Sequence, residues 1–200
     1  MTARLLVVTP LRLERAAVRG RLPGALVVRS GMGAARATSA ARSIAELPIE
    51  ALAVTWFCGA TAGRLRPGDI VVASEVRGPD GVHGCETARV VAALGAVGMA
   101  RVHVGPLACA DHVVRGSERR RLAAEGALAA DMESAWLAPA AAGRPFAVVR
   151  VVLDTPAREI CRPPATISGA VAAWRTLRRL APALSLWARD VVERERGRSM

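Results

Sequence analysis

Pro145-Phe146-Ala147-Val148-Val149-Arg150-Val151-Val152-Leu153-Asp154 is apolar at every position except Arg150 until it ends on an acid. A continuous, largely β-branched run of this length predicts a central strand buried on both faces. Upstream, Ala129-Ala130-Asp131-Met132-Glu133-Ser134-Ala135-Trp136 sets a second acid, Glu133, at the start of a helix that Pro139 and Gly143-Arg144-Pro145 bring to an end. Two carboxylates presented by the ends of scaffold elements point to a catalytic cleft. Each alone also fits a plainer role, Glu133 as a first-turn acid complementing a helix dipole and Asp154 as the start of a turn.

The same alternation of strand and helix runs back to the N-terminus. Arg4-Leu5-Leu6-Val7-Val8-Thr9-Pro10 predicts a short buried strand stopped by proline, and a helix then begins near Leu11. Glu14 falls in its first turn, at the strand edge where open α/β sheets place ligand groups. Leu26-Val27-Val28-Arg29-Ser30 predicts a second strand, and Gly31-Met32-Gly33 leads into an Ala-rich helix over 34–47. This Gly-x-Gly either frees backbone N–H groups to face an anion or a sugar hydroxyl or makes a tight turn. The third glycine and the ribose acid of a dinucleotide fingerprint are not in place.

A third strand over 51–57 ends in Cys58-Gly59-Ala60-Thr61-Ala62-Gly63, a loop of small residues whose backbone can approach a ligand closely. Pro67-Gly68-Asp69 turns the chain into a fourth strand over 70–76, followed by a surface loop at Gly78-Pro79-Asp80-Gly81. A helix over 85–99, a short strand over 101–105, an irregular edge over 105–114 and a helix over 117–125 complete the path to the two acids. Strands alternating with helices throughout predict a single α/β domain, residues 1–200, with a mixed sheet.

Composition narrows the function classes. The 200 residues are 52% hydrophobic with a mean hydropathy of +0.28, enough for one substantial core and little more. No charge-free apolar run reaches the roughly 18 residues of a membrane span, the longest being 51–63, and MTARLLVVTP lacks the parts of a signal peptide. The expectation is a cytoplasmic protein. Cys58, Cys85, Cys109 and Cys161 form no C-x-x-C pair, and His83, His103 and His112 form no ligand spacing, so neither a metal nor a disulfide framework is implied. The net charge of +11 raises nucleic acid as a partner. All 28 basic residues are arginine, however, in a chain crowded with Ala, Gly, Val and Pro, which matches a GC-rich coding bias as well as a selected surface. With no Tyr and two Phe, the stacking platforms of single-strand binders are missing, and no nucleic-acid partner is expected.

Four pieces in order resemble the nucleoside phosphorylase and nucleosidase superfamily, which includes methylthioadenosine/S-adenosylhomocysteine nucleosidase, futalosine hydrolase and purine nucleoside phosphorylase. They are Ser30-Gly31-Met32-Gly33 with Ala37; Gly59-Ala60-Thr61-Ala62-Gly63 with Arg66-Pro67-Gly68-Asp69-Ile70-Val71-Val72; Asp131-Met132-Glu133-Ser134-Ala135; and Pro145-Phe146 through Arg150 to Asp154. The resemblance implies a three-layer α/β/α domain with a central mixed, twisted sheet. It implies that Asp154 protonates N7 of a purine, that Met132 and Glu133 hold the ribose, and that Glu14 orients an attacking water. It also implies that Ala60 and Thr61 line base and sugar, with Gly31 and Gly33 beside them, and that Val113 and Val114 lie along the purine. No cofactor is implied, and a homodimer is.

The chain departs from many relatives at Ala62, where they carry a second glycine, and at Leu153, where they carry serine before the acid. The loop over 59–63 lacks the arginine with which phosphorylases of the superfamily bind phosphate; together with Glu14 this favours hydrolysis. Arg12 and Arg36 stand as alternatives for reaching a phosphate co-substrate.

A narrower resemblance is to the hopanoid-associated branch, which releases adenine from adenosylhopane. Its features are Ser30-Gly31-Met32-Gly33-Ala34-Ala35-Arg36-Ala37, the Asp131-Met132-Glu133-Ser134 form of the motif, and a tail containing Arg162-Pro163-Pro164 and Trp174-Arg175-Thr176-Leu177. Residues 166–196 read as an amphipathic helical segment with Val171, Trp174, Leu177, Ala181, Leu184, Trp187 and Val191 on one stripe, which Pro182 is expected to kink or divide. The stripe either packs on the sheet or helps the protein reach a lipid-linked nucleoside by peripheral contact with the inner face of a membrane. Alternatives to adenosylhopane are methylthioadenosine/S-adenosylhomocysteine, futalosine, the phosphorolytic variant of the reaction, and a nucleoside-binding protein without turnover.

Overall fold

The computed structural model describes residues 4–61, 63–157, 159 and 165–198. Ala62, Cys161 and Arg162-Pro163-Pro164 lie outside the described residues. In chain order the elements are β1 (Leu5–Thr9), α1 (Arg12–Arg19), β2 (Leu26–Arg29), α2 (Ala34–Ala45), β3 (Ala51–Ala60), β4 (Ile70–Gly78), β5 (Gly81–Gly84), α3 (Ala88–Ala96), β6 (Val102–Cys109), α4 (Gly116–Ala124), β7 (Ala129–Asp131), α5 (Ser134–Leu137), a 3-10 turn (Ala138–Ala141), β8 (Phe146–Asp154) and α6 (Ala165–Arg198).

β8 is the central strand. It runs parallel to β3 and antiparallel to β4, and all its residues but Leu153 are buried. β4 continues to β6, β6 to β7, and β7 returns to the end of β3, so five strands close into a ring. β1 and β2 extend the sheet from β3, and β5 extends it from β4. Alternation on the two inner strands feeds separate cores. Leu52, Val54, Trp56, Val148 and Val152 join a cluster with α2 and α5 residues, while Ala53, Ala147, Val149 and Val151 join one with α1, α3 and α6 residues. The result is a three-layer α/β/α domain with a mixed sheet.

Several boundaries differ from the sequence expectation. β3 continues through Cys58-Gly59-Ala60 because β8 and β7 supply ladder partners there, so much of the expected loop is strand. β5 forms a hairpin with β4, and the Cys85 N–H still donates to the Ser74 carbonyl, so the helix expected over 85–99 begins later and spans Ala88–Ala96. β6 runs on to Cys109 through Pro106, which sits where the β4 register shifts between Ala73 and Val76; a residue with no N–H is tolerated at such an irregularity.

The C-terminal helix packs on the sheet. Leu177, Ala181, Leu184, Trp187 and Val191 are buried, Trp174 is half-buried and Val171 is exposed. No described helix is long and apolar enough to cross a membrane. α6 is one helix with Pro182 inside it, so of the two expected effects, a kink or a division, the division does not occur. Pro182 lies on the exposed face while Ala181, Ala183 and Leu184 are held against the core, so packing on both sides of the proline offsets the missing backbone hydrogen bond. Pro182→Ala therefore restores that bond without losing buried contacts. It is expected to stabilise the protein by about 1–3 kcal/mol, read as a raised midpoint in thermal or urea unfolding; an unchanged midpoint would mean that the helix has already relaxed around the ring.

Candidate active site

The ends of β1, β3, β7 and β8 meet beside the loop before α4 and enclose a cavity of about 250 Å³. Glu14, Met132, Glu133, Asp154, Val113 and Val114 all line it, with Leu11, Met32, Trp56, Cys58, Gly59, Arg119 and Leu153 among their neighbours. Three acids separated by up to 140 positions thus face one space.

Glu14 is placed by the first turn of α1. Its Oε2 accepts the Leu11 N–H at 3.1 Å, the reach-back bond of a helix N-terminus. It is 2% exposed, and burial pushes its carboxyl up to about 7, with the Leu11 N–H and Arg150 opposing the rise and Glu133 adding to it. Such a group exchanges a proton with water near neutral pH.

Glu133 stands at the N-cap of α5, at the start of a helix as expected; the helix is a single turn that passes into the 3-10 turn Ala138–Ala141 carrying Pro139. Its Oε1 accepts the Gly33 N–H at 2.9 Å, so the Gly31-Met32-Gly33 turn does present an N–H to an anion, this chain's own carboxylate. Burial raises the Glu133 carboxyl above its ordinary value, against the Gly33 bond. Gly31 and Gly33, at φ +82 and +86, shape the turn while Met32 between them lines the cavity.

Asp154 is placed by a register shift. Cys58 pairs with Val152 but Gly59 pairs with Asp154, leaving Leu153 as the extra residue and setting the acid directly beside Gly59. Asp154 Oδ2 accepts from Arg119 Nη2 at 3.0 Å in a pair with side chains 9% and 4% exposed. Gly59 is required by this approach: a Cβ there would lie 2.8 Å from both Arg119 Nη2 and Asp154 Oδ1.

Ala60 and Thr61 are buried and do not line the cavity; the Thr61 hydroxyl donates to the Ala127 carbonyl. Cys58 and Gly59 occupy the wall instead. Arg12 and Arg36 are exposed and also lie outside the lining. Among the described residues no group of three His, Cys, Asp or Glu is placed to hold a metal ion.

Two arginines escaped the sequence reading. Arg150 carried a signal, as the lone charge inside an apolar strand. It is wholly buried, stacks 3.5 Å over Trp56, donates to Asp131 at 2.8 Å and to the Val54 carbonyl at 2.8 Å, and also meets Ser134. Arg119 carried none, since Glu118-Arg119-Arg120-Arg121 looks like any solvated helix face.

A family model described as the phosphorylase superfamily matches residues 7–170. The chain belongs to the phosphorylase superfamily. Solved structures agree on the superfamily fold. S-adenosylhomocysteine nucleosidase from Streptococcus pyogenes, in complex with 5-methylthiotubericidin, aligns at TM-score 0.75 and 21% identity over 95% of this chain and 98% of its own. The 5′-methylthioadenosine/S-adenosylhomocysteine nucleosidase of Neisseria meningitidis, in complex with methylthio-immucillin-A, aligns at 0.77 and 18% over 90% and 97%. Futalosine hydrolase of Helicobacter pylori aligns at 0.74 and 18% over 95% and 99%. A search of curated proteins found no match.

Two consequences of this geometry are measurable. Gly59→Ala forces Arg119 and Asp154 apart, and is expected to cost about 1–3 kcal/mol in unfolding experiments; an unaltered midpoint would mean that the pair yields freely. The raised Glu14 carboxyl gives a pH signature. The folded state keeps this proton as pH rises from its ordinary value of 4.5 to about 7, whereas the unfolded state releases it. Stability from this group is therefore present at acid pH and lost through that window, by up to a few kcal/mol. Glu14→Gln should gain stability relative to the wild type between pH 4.5 and 7, with a constant gap above; a gap independent of pH would contradict the burial effect.

Proposed function

We propose that this superfamily enzyme hydrolyses the N-glycosidic bond of an adenine nucleoside, with adenosylhopane as its substrate. The observation that carries the reading is the convergence of Glu14, Glu133 and Asp154 on one cavity. Asp154 protonates N7 so that the base leaves neutral, a step worth roughly 10²–10⁴-fold in such reactions. Glu133 accepts hydrogen bonds from the vicinal ribose hydroxyls while Met132 packs on the sugar, placing negative charge near the developing oxocarbenium ion. Glu14 orients the water and takes its proton. Val113 and Val114 flank the base.

Hydrolysis is favoured over phosphorolysis because Glu14 and Glu133 both face the cavity, where they would repel a phosphate dianion, and because Arg12 and Arg36 are not on its wall. The lipid-linked substrate is supported by the rim: Leu11, Met32 and Val113 line the cavity yet remain 39%, 48% and 46% exposed, and Leu13 beside them is 71% exposed. This rim is the surface offered for peripheral contact with membrane, because most of the α6 stripe, Trp187 included, is buried and leaves only scattered apolar groups such as Val171 and Leu186 exposed among the described residues. Such a protein would work in the cytoplasm, as a homodimer.

The neighbours in the fold comparison are named for methylthioadenosine, S-adenosylhomocysteine and futalosine, so these nucleosides belong in the same assay. Release of adenine from each, measured by chromatography with and without phosphate, separates the substrates and the two acceptors; binding without release from any of them would leave a non-catalytic nucleoside-binding protein. Asp154→Asn is expected to abolish turnover, with nucleoside binding retained, and Glu133→Gln to weaken both. A near-normal rate in the Asp154 variant would remove Asp154 from the reaction.

A further inference from the structure

Helix α4 docks through a charge. Arg119 is its only buried residue, at 3% exposure, while Arg120 and Arg121 beside it are exposed. Its Nη2 donates to Asp154 Oδ2 at 3.0 Å and to the Val114 carbonyl at 3.2 Å, and its Nη1 is buried with no hydrogen-bond partner among the described residues. A guanidinium held this way costs free energy that an apolar anchor would not. The surroundings keep it there. The Gly116 N–H donates to Glu159 Oε1 at 3.1 Å, tying the start of α4 to the chain beyond β8, and His112 on the cavity wall bridges Asp111 at 2.7 Å and Glu118 at 2.8 Å. Gly59 leaves room where a Cβ would meet both members of the pair.

We propose that Arg119 is a positioning residue for leaving-group activation, which orients the Asp154 carboxyl toward the base and stabilises the negative charge it acquires on giving up its proton. The inference rests on the reading of Asp154 as the general acid. In that step the Asp154 O–H bond breaks and N7–H forms. The C1′–N9 electron pair leaves with the base, and the water oxygen bonds to C1′ as its proton passes to Glu14. The base departs neutral, Asp154 remains a carboxylate against Arg119, and solvent returns the Glu14 proton to Asp154. A cation already in place when that charge appears needs no reorganisation, and its attraction is strongest in the transition state, where the carboxylate has formed.

The test compares Arg119→Met, Arg119→Lys and the exposed control Arg120→Met on whichever adenine nucleoside the wild type cleaves fastest. Arg119→Met is expected to lower kcat about 10- to 100-fold with KM changed less than about threefold, as for an interaction made in the transition state. Arg119→Lys is expected to recover most of the rate, and Arg120→Met to match the wild type. Should Arg119→Met fail to fold, Arg119→Lys decides: near-wild-type kcat supports the role. A folded Arg119→Lys variant slowed by the about 10- to 100-fold expected for loss of the cation, or an Arg119→Met kcat equal to wild type, overturns it, as does a loss carried mainly by KM. Wild-type protein that releases no base from any nucleoside would instead defeat the assignment of the reaction itself.

Discussion

Arg150 sits in the middle of β8 with none of its surface exposed, stacked on Trp56 and bonded to Asp131 and the Val54 carbonyl. Taking a guanidinium and a carboxylate out of water costs several kcal/mol per ion, repaid only where geometry and further hydrogen bonds are good, and breaking such a pair typically costs about 3–5 kcal/mol. Here the repayment also builds the site. Asp131 Oδ1 faces the Glu133 and Ser134 N–H groups at 3.4 and 3.3 Å, so the carboxylate that neutralises Arg150 also fixes the turn from which Glu133 projects. Since Asp154 ends the same strand, the relation between the two acids is held by one short stretch of β8 and its ion pair.

That relation explains why the strand was legible and the site only partly so. β8 spans Phe146–Asp154, as its apolar run predicts, because a strand buried on both faces writes its burial directly into composition. Glu14, Glu133 and Asp154 could be picked out because each ends or begins an element, where side chains of α/β sheets reach ligands. The cavity wall was less legible. The small residues 58–60 have poor strand propensity and read as loop, but β7 and β8 hold them in the ladder, so context overrode preference. Thr61 was consequently turned into the fold, where its hydroxyl meets the Ala127 carbonyl. β7 itself, three residues long, is too short to show any periodicity.

The two buried arginines show the same limit in charge. In a chain whose 28 basic residues are all arginine, identity carries no information about role, and only context can. Arg150 has that context, being flanked by Val on both sides. Arg119 shares its helix with exposed arginines, and what distinguishes it is a contact 35 residues away in sequence. No local pattern encodes such a contact.

Once both are placed, the charges of the cavity divide by position. Arg150 compensates Asp131, and Arg119 compensates Asp154. Glu14 and Glu133 have no ion pair among the described residues, and both carboxyls are raised by burial. Asp154 is therefore balanced by an adjacent cation, while burial, opposed only by the more distant pull of Arg150 and by backbone N–H groups, leaves Glu14 and Glu133 readier to hold a proton. Cleavage of an N-glycosidic bond moves electrons from sugar to base, leaving C1′ positive. With the base against Asp154 and the sugar against Glu133, as proposed, the ion-paired cation stands at the end that receives the electrons and the two carboxyls at the end that loses them. The proposed preference for hydrolysis rests on this distribution of charge around the cavity rather than on any single residue.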